Sequence, residues 1–336
     1  MRVTSLPIGD PSLDPSKKHP MPLPIRIGVS RCLLGEEVRY DGGHKRDRFL
    51  TDVIGRYVEW VRICPEVEAG LGTPREAMRL VGGTRQLRLV TIKTERDMTK
   101  TLTMFAERKL EVLETADLSG YIFKKDSPSC GIERVRVFNQ HGMPSRTGVG
   151  LFAGAFMRRF PLIPIEEEGR LYDPVLRDNF IERVFCYHRW QILARGPLTR
   201  KAVVEFHTAH KYQLLAHSGQ HYKYLGRLVA RAGRYRPKEL IERYGAAFMD
   251  ALAVTATPRK HVNVLHHIVG HMKERLTTNE RAELDDVIND YHRGLVPLVV
   301  PITLIKQYVV RYRIDYVCNQ VYLNPHPKEL QLRNYL

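Results

Sequence analysis

The chain has 336 residues, of which 43% are hydrophobic and 27% charged, and 53 Lys and Arg against 37 Asp and Glu give a formal net charge of +16. Apart from the charge, these values are ordinary for a globular protein of about two domains. No apolar run reaches the ~18 residues of a membrane span. The N-terminus lacks the apolar core of a secretory signal. Five irregularly spaced cysteines exclude a disulfide framework and favour a reducing cytoplasm. The positive charge favours a polyanionic partner, most commonly nucleic acid.

The first half of the chain alternates between strand-like and helix-like segments. Residues 1–23 precede them and contain five prolines together with Ser and Lys, so we expect a poorly ordered leader there. Predicted strands cover residues 25–29, 57–63, 86–92, 120–124 and 162–165, and predicted helices cover 46–55, 98–118 and 149–160. This alternation predicts an α/β domain with a mostly parallel sheet over residues 24–172.

After residue 173 the pattern is helical throughout. A helix over residues 179–194 stops at Gly196–Pro197, which predicts a connecting helix and linker over 173–197. Six further helices are predicted at residues 199–217, 221–232, 237–253, 260–276, 279–292 and 298–312. We therefore expect an all-α second domain over residues 198–336.

Positive charge is concentrated near the start of this helical region. Between Arg195 and Arg243 there are eleven Lys and Arg against three acidic residues, interleaved with four His and four Tyr. A basic stretch with aromatic residues is typical of a surface that binds phosphates and stacks on bases. The candidate RNA contacts are Lys211, Tyr212, Lys223, Arg227, Arg231 and Arg234. A solvated helix face is an equally good interpretation of each of them.

Three cysteines follow predicted strands. Cys32 follows the strand at 25–29, Cys64 follows 57–63, and Cys130 lies in the loop after 120–124. In an open α/β sheet, ligands bind outside the carboxyl ends of the strands. We therefore expect the three thiols to meet at that edge of the sheet.

From the residues alone, several interpretations of these cysteines stay open. They could be buried structural thiols, although glycine-rich loops surround them, or a redox pair, although the chain has no Cys-x-x-Cys. They could also bind a metal. Three thiolates without a fourth resemble an incomplete iron–sulfur ligand set that leaves one iron open, as in a catalytic metal site. A three-cysteine zinc site is the alternative metal centre, and the spacing does not separate the two.

The sequences around the cysteines resemble the thiouracil desulfidase (TudS) family. The motifs are VSRCLLG and RYDGG within residues 29–43, CPE and GLGTPRE within 64–76, and SPSCG at 127–131. The resemblance covers residues 24–170. It implies a 4Fe–4S cluster held by three cysteines, with one open iron that takes sulfur from a thiocarbonyl group. The implied cluster ligands are Cys32, Cys64 and Cys130, and the implied catalytic residues are Glu66 and Ser127.

The helical half carries a second resemblance. The stretch FHTAHKYQLLAH at 206–217 is similar to a companion domain that, fused to the first, resembles the tRNA 4-thiouridine desulfidases (RudS). This implies an enzyme that converts 4-thiouridine in tRNA to uridine and releases hydrosulfide, with tRNA as partner and a thiolated nucleoside as substrate. A desulfidase of free thiouracil or thionucleosides is one alternative, and a non-catalytic, metal-containing RNA-binding protein is another.

The roles of the two candidate catalytic residues follow from their chemistry. Glu66 is the candidate acid/base and Ser127 a candidate hydrogen-bond donor to the base or to water. The alternatives are a helix-capping carboxylate and a turn serine. His267 and His271 stand one helical turn apart, but no His-Glu-x-x-His pattern joins them, so we expect satisfied or RNA-facing histidines rather than a zinc site.

Overall fold

Eight strands form two four-stranded sheets in the part of the chain that the computed structural model describes, residues 24–83, 86–197 and 199–336. The predicted leader lies outside these ranges. The strands are β1 (Arg26–Ser30), β2 (Glu59–Ile63), β3 (Met78–Gly83), β4 (Gln86–Thr91), β5 (Leu118–Phe123), β6 (Val135–Phe138), β7 (Pro144–Gly148) and β8 (Ile165–Glu167).

The helices begin and end within six residues of the predicted limits, except for the four-residue α10, which was not predicted. They are α1 (Thr99–Leu113), α2 (Leu151–Arg159), α3 (Pro174–Arg195), α4 (Arg200–His217), α5 (Gly219–Ala230), α6 (Pro237–Ala253), α7 (Pro258–Gly270), α8 (Thr278–His292), α9 (Val299–Arg311) and α10 (Asp315–Cys318). Local chemistry sets the boundaries. At α3, for example, the Asp173 side chain accepts hydrogen bonds from two first-turn amides and Pro174 takes the first helical position. None of these described helices is long and apolar enough to cross a bilayer.

The main sheet has the strand order β2-β1-β5-β8 and is parallel throughout. β1 and β5 are almost wholly buried, as expected for central strands covered on both faces. Gly28 is required in β1, because a Cβ there would lie 2.2 Å from the ring of Tyr121 on β5. Ser30 is paired with Ile63 and Val29 with Ile122, so the carboxyl ends of three strands lie side by side.

The second sheet was not predicted. Its order is β4-β3-β6-β7, with antiparallel pairs at both sides and a parallel pair in the centre. The segment predicted as a third strand of the main sheet is β4 of this second sheet instead. β6 alternates over only four residues and β7 is polar and almost fully exposed, so β6 is too short and β7 too polar to be recognised. The short helix predicted at 46–55 is present as a π-helix at Phe49–Val53 followed by a 3₁₀ turn at Ile54–Arg56.

One helix joins the sheet region to the helical region. The first half of α3 packs against the main sheet through Phe180, Ile181 and Val184, while Cys186 and Trp190 in its second half belong to a helical core. The chain end returns to the sheet, since Leu330 and Leu332 pack in the same cluster as Cys32 and Cys64. The predicted α/β region followed by helices is thus confirmed, whereas the domain limits stay predictions.

Candidate active site

A cavity of about 510 Å³ opens at the carboxyl edge of the main sheet. Cys32, Cys64 and Cys130 all line it, and each is 9% exposed or less. The parallel order of β2, β1 and β5 brings their loops to one place, as the strand pattern predicts. The cavity also contains both candidate catalytic side chains, Glu66 and Ser127.

Each cysteine is held by a different local structure. Cys32 lies in a 3₁₀ turn that ends at Gly35, whose φ of 93° is left-handed, and its carbonyl accepts a hydrogen bond from the Lys45 amide at 2.8 Å. The amide of Cys64 donates to Oε1 of Glu68 at 2.8 Å. The Cys130 loop is fastened to the first turn of α2, where the Phe152 amide donates to the Ser129 carbonyl at 3.0 Å.

The three thiols influence one another electrostatically. Burial raises the pKa of Cys32 to about 11, and the neighbouring Cys64 contributes. Burial also raises the pKa of Cys64, and it raises the pKa of Cys130 well above its ordinary value, with Glu66, Cys64 and Cys32 adding to the effect. A metal that binds these thiols would release their protons and offset the cost of burying the thiolates.

The three buried thiols of the cavity are donors that suit either a zinc ion or an iron–sulfur cluster. Within the described ranges, no three or more His, Cys, Asp or Glu side chains are grouped so that they could hold one metal ion. A zinc ion needs its donors about 2.3 Å from one point, whereas each thiolate of an iron–sulfur cluster binds its own iron. The three buried thiols line one cavity, and which of the two centres they ligate stays a prediction.

Glu66 is fixed from two sides. Its side chain is 12% exposed and forms an ion pair with Arg75, which is 7% exposed. Arg75 Nε donates to Oε2 at 2.8 Å, and Nη2 donates to the same oxygen. Ser129 Oγ donates to Oε1 at 2.7 Å. Both oxygens thus already accept hydrogen bonds. Arg75 and Ser129 were missed as site residues, although they belong to the GLGTPRE and SPSCG motifs.

Ser127 caps the turn that carries Cys130. Its Oγ accepts hydrogen bonds from the amides of Ser129 at 3.2 Å and of Cys130 at 3.1 Å. Its hydroxyl hydrogen has no acceptor among the described groups, so it can donate into the cavity. The turn-forming role and the proposed donor role are therefore compatible.

The cavity wall is strongly basic. Seven cationic residues line it against two acidic ones, Glu66 and Asp126. The cations are Arg31, Arg39, Lys45, Arg75, Lys124, Lys125 and Arg136. Lys124 is paired with Glu168 at 2.6 Å, but the exposed Lys45, Lys125 and Arg136 have no side-chain ion pair or hydrogen bond within the described part of the chain. Tyr40, also on the wall, is 44% exposed. The mouth of the cavity suits an anionic ligand with a flat ring.

The RNA-contact candidates of the helical region divide into two groups. Lys223, Arg227, Arg231 and Arg234 are exposed on α5 and the turn after it. Tyr212 is only 4% exposed and its hydroxyl contacts His271 Nε2 at 2.6 Å. Tyr212 as a base-stacking residue is therefore wrong in this fold, because the apolar positions of α4 place it in the core. Lys211 lies over the rings of Tyr212 and Tyr316. The contact of His271 with Tyr212 also accounts for one histidine of the considered zinc pair.

Comparison with known proteins places these findings in a family. Residues 27–168 match the model of the 2-thiouracil desulfurase family, and residues 211–327 match DUF1722, a domain of unknown function. The uncharacterized protein YbgA of Escherichia coli K12 is 32% identical over 158 residues, which are 47% of this chain and 94% of YbgA. This chain belongs to the 2-thiouracil desulfurase family. The uncharacterized protein YbbK of Bacillus subtilis 168 is 34% identical over 111 residues, 31% of this chain and 72% of YbbK.

A solved structure is also similar, that of the 4Fe–4S-dependent thiouracil desulfidase TudS. The two sequences are 30% identical, and the match covers 46% of this chain and 97% of the TudS chain, with a TM-score of 0.37. The expected resemblance to the thiouracil desulfidases is confirmed by the desulfurase family match. All three cavity cysteines, Glu66 and Ser127 lie within the matched residues 27–168.

Proposed function

We propose that this member of the 2-thiouracil desulfurase family is a 4Fe–4S-dependent desulfidase that converts 4-thiouridine in tRNA to uridine and releases hydrosulfide. The observation that carries the proposal is the convergence of three buried thiols, Glu66 and Ser127 on one cavity. The reaction replaces C=S with C=O at the expense of one water, so it needs neither an oxidant nor a reductant.

The cavity residues have different roles in the proposed reaction. Cys32, Cys64 and Cys130 would hold the cluster, whose open iron supplies a thiophilic Lewis acid for the C=S bond. Glu66, whose carboxylate borders the cavity, takes the proton of the attacking water as general base. Ser127 donates its free hydroxyl hydrogen to the uracil ring and fixes its orientation.

The basic mouth supports a substrate that carries phosphate. The charged groups of Lys45, Lys125 and Arg136 form no ion pair with the described residues, so they can bind phosphate oxygens without first breaking one. Tyr40 offers an exposed ring at the mouth, and stacking on aromatic side chains is how proteins hold unstacked RNA bases. A base within tRNA must leave its stack to reach such a cavity.

The exposed cations of α5 supply a second, sequence-independent contact. Lys223 and Arg227 lie on α5 itself, and Arg231 and Arg234 lie at and after its end. Phosphate contacts of this kind position a protein on nucleic acid without reading its sequence. In this proposal the helical half holds the tRNA and the sheet region performs the chemistry.

Nucleoside analysis of tRNA tests the proposal. Cluster-loaded protein is incubated anaerobically with tRNA that contains 4-thiouridine and, separately, with free 4-thiouracil. We expect 4-thiouridine to be replaced by an equal amount of uridine, together with released hydrosulfide, and turnover of the free base to be slower. Turnover of 4-thiouracil without turnover of tRNA would contradict the tRNA assignment. No loss of sulfur from either substrate would contradict the desulfidase assignment.

A further inference from the structure

We propose that Arg75 and Ser129 are positioning residues that hold the Glu66 carboxylate between them and thereby fix the three cysteine loops relative to one another. The cysteine loops are residues 31–45, 64–75 and 127–131. The inference deepens the proposed function and rests on it only for the activity measurement. Neither residue needs to touch the substrate, because both act through Glu66.

Arg75 connects two of the loops. Its Nε and Nη2 both donate to Glu66 Oε2, while Nη1 donates to the carbonyls of Val38 and Gly72, each at 3.0 Å. Val38 belongs to the Cys32 loop, and its carbonyl also lies 3.8 Å from Cys64 Sγ. One guanidinium thus joins the chain after Cys32 to the chain after Cys64. A lysine could not do so, because its single ammonium lacks the planar fork of donors.

Ser129 brings in the third loop. The Ser129 hydroxyl donates to the other carboxylate oxygen of Glu66, Oε1, at 2.7 Å, and Ser129 is fully buried. Its carbonyl accepts from the amides of Phe152 at 3.0 Å and Ala153 at 3.2 Å. The Cys130 loop is therefore tied to Glu66 on one side and to the first turn of α2 on the other.

This arrangement differs from an ordinary buried ion pair in where its partners come from. Each oxygen of Glu66 is held from a different loop, and Arg75 extends the connection to the remaining one. Each cavity cysteine lies in one of the three connected loops. Displacement of Glu66 would therefore loosen all three loops rather than only the loop that carries it.

Hydrogen–deuterium exchange of the cluster-free protein tests this directly. The variants are Arg75→Lys and Ser129→Ala. The matched controls are Arg26→Lys, in an exposed ion pair with Glu59 at the other end of β1 and β2, and Ser145→Ala on β7. We expect Arg75→Lys and Ser129→Ala each to speed exchange about tenfold in all three loops, because a lost hydrogen bond lowers the local opening free energy. The controls should leave these loops unchanged.

Two outcomes would overturn the proposal. One is exchange that rises only in the loop that carries the substitution, and the other is no change in any loop. Ser129→Ala removes a single oxygen, so it provides the test even if Arg75→Lys does not fold. In a Glu66→Gln background, Arg75→Lys should have less effect than in the wild-type chain, because both act through the same carboxylate.

The cluster-loaded protein gives a second measurement. Arg75→Lys and Ser129→Ala should lose iron to a chelator several-fold faster than the wild type and show a lower kcat with little change in KM. Iron loss at the wild-type rate in both variants would contradict the positioning role. The exchange and iron-loss measurements need no substrate, so failure of the proposed desulfidation would not be mistaken for failure of this inference.

Discussion

Two buried Arg–Glu pairs, one in each half of the molecule, differ in what surrounds them. Glu66 and Arg75 are 12% and 7% exposed and border a cavity with three thiols, whereas Glu182 and Arg333 are both 5% exposed and sealed in the interior. Glu182 accepts from Arg333 Nη2 at 3.0 Å and lies 2.8 Å from His217 Nε2. This second network joins α3, α4 and the end of the chain.

The comparison shows that one type of ion pair can occur in two settings, beside a ligand-sized cavity or within a closed core. Burial alone would raise the pKa of Glu182, but Arg333 and His217 hold it well below its ordinary value. We expect a sealed pair of this kind to serve the fold rather than chemistry, since removing one partner would leave the other charge buried and unpaired. The pair at Glu66 borders a cavity with room for a ligand, and this room, rather than the residue types, marks the candidate active site.

Loss of a cavity cysteine should have the largest effect. Cys130→Ala is expected to lower the rate of 4-thiouridine loss from tRNA by about 100-fold or more, since the proposed cluster would lose one of its three ligands. Nucleoside analysis measures it. Cys186→Ala is the matched control, because Cys186 is equally buried but lies in a helical core. Equal activity of the two variants would remove the distinction between cavity and interior.

Loss of the sealed pair should affect stability instead. Arg333→Met is expected to lower the free energy of unfolding by about 3–5 kcal/mol, because it leaves Glu182 without its main partner. Urea unfolding followed by circular dichroism measures this. Arg243→Met, in the exposed pair with Glu239, should change little. A destabilisation no greater than that of Arg243→Met would show that burial of the pair is unimportant.

Lowering the pH should reduce the free energy of unfolding of the helical half. Burial lowers the pKa of His210 and of His261 to about 3, below the value near 6.5 of an unfolded chain. Below pH 6.5 the unfolded state therefore binds more protons at these histidines than the folded state does. Their contribution to the free energy of unfolding is fully present above pH 6.5 and decreases as the pH falls below it. Each histidine should contribute about 1.4 kcal/mol per pH unit.

Unfolding free energies measured from pH 7.5 to 5 test this sign. His210→Gln should flatten the dependence, whereas His292→Gln, at an exposed position of α8, should not. An increase in stability on acidification would contradict the assignment of these two histidines as buried and neutral.

The smallest effects are expected at the mouth of the cavity. Lys125→Ala and Arg136→Ala should each raise the KM for tRNA a few-fold and reduce the salt dependence of binding by about one unit of slope, because each removes one phosphate contact. Arg227→Ala on α5 should act in the same way. Steady-state kinetics at several salt concentrations measure this. A change in kcat with KM unaffected would assign these cations to the chemistry rather than to binding.

Sequence alone predicted the parts of the molecule that depend on local pattern. The apolar runs of β1 and β5 and the helices α3 to α9 were predicted with limits within six residues of the observed ones. The meeting of Cys32, Cys64 and Cys130 also followed, since parallel strands place their carboxyl ends at one edge.

The remaining features depend on contacts between distant segments. β6 and β7 have short or polar sequences and form a sheet only because β3 pairs with β6. Tyr212 looked like a surface aromatic among basic residues, but packing of α4 buries it. Ser129 and Arg75 lie 54 positions apart in the chain, so their shared contact with Glu66 could be seen only in the folded structure.

The most direct test of the central claim is iron and acid-labile sulfide analysis of the anaerobically prepared wild type and of the three variants Cys32→Ala, Cys64→Ala and Cys130→Ala. The account predicts about four iron and four sulfide per chain in the wild type and loss of both in each variant. One zinc per chain without sulfide, or an iron–sulfur content that survives any of the three substitutions, would contradict it.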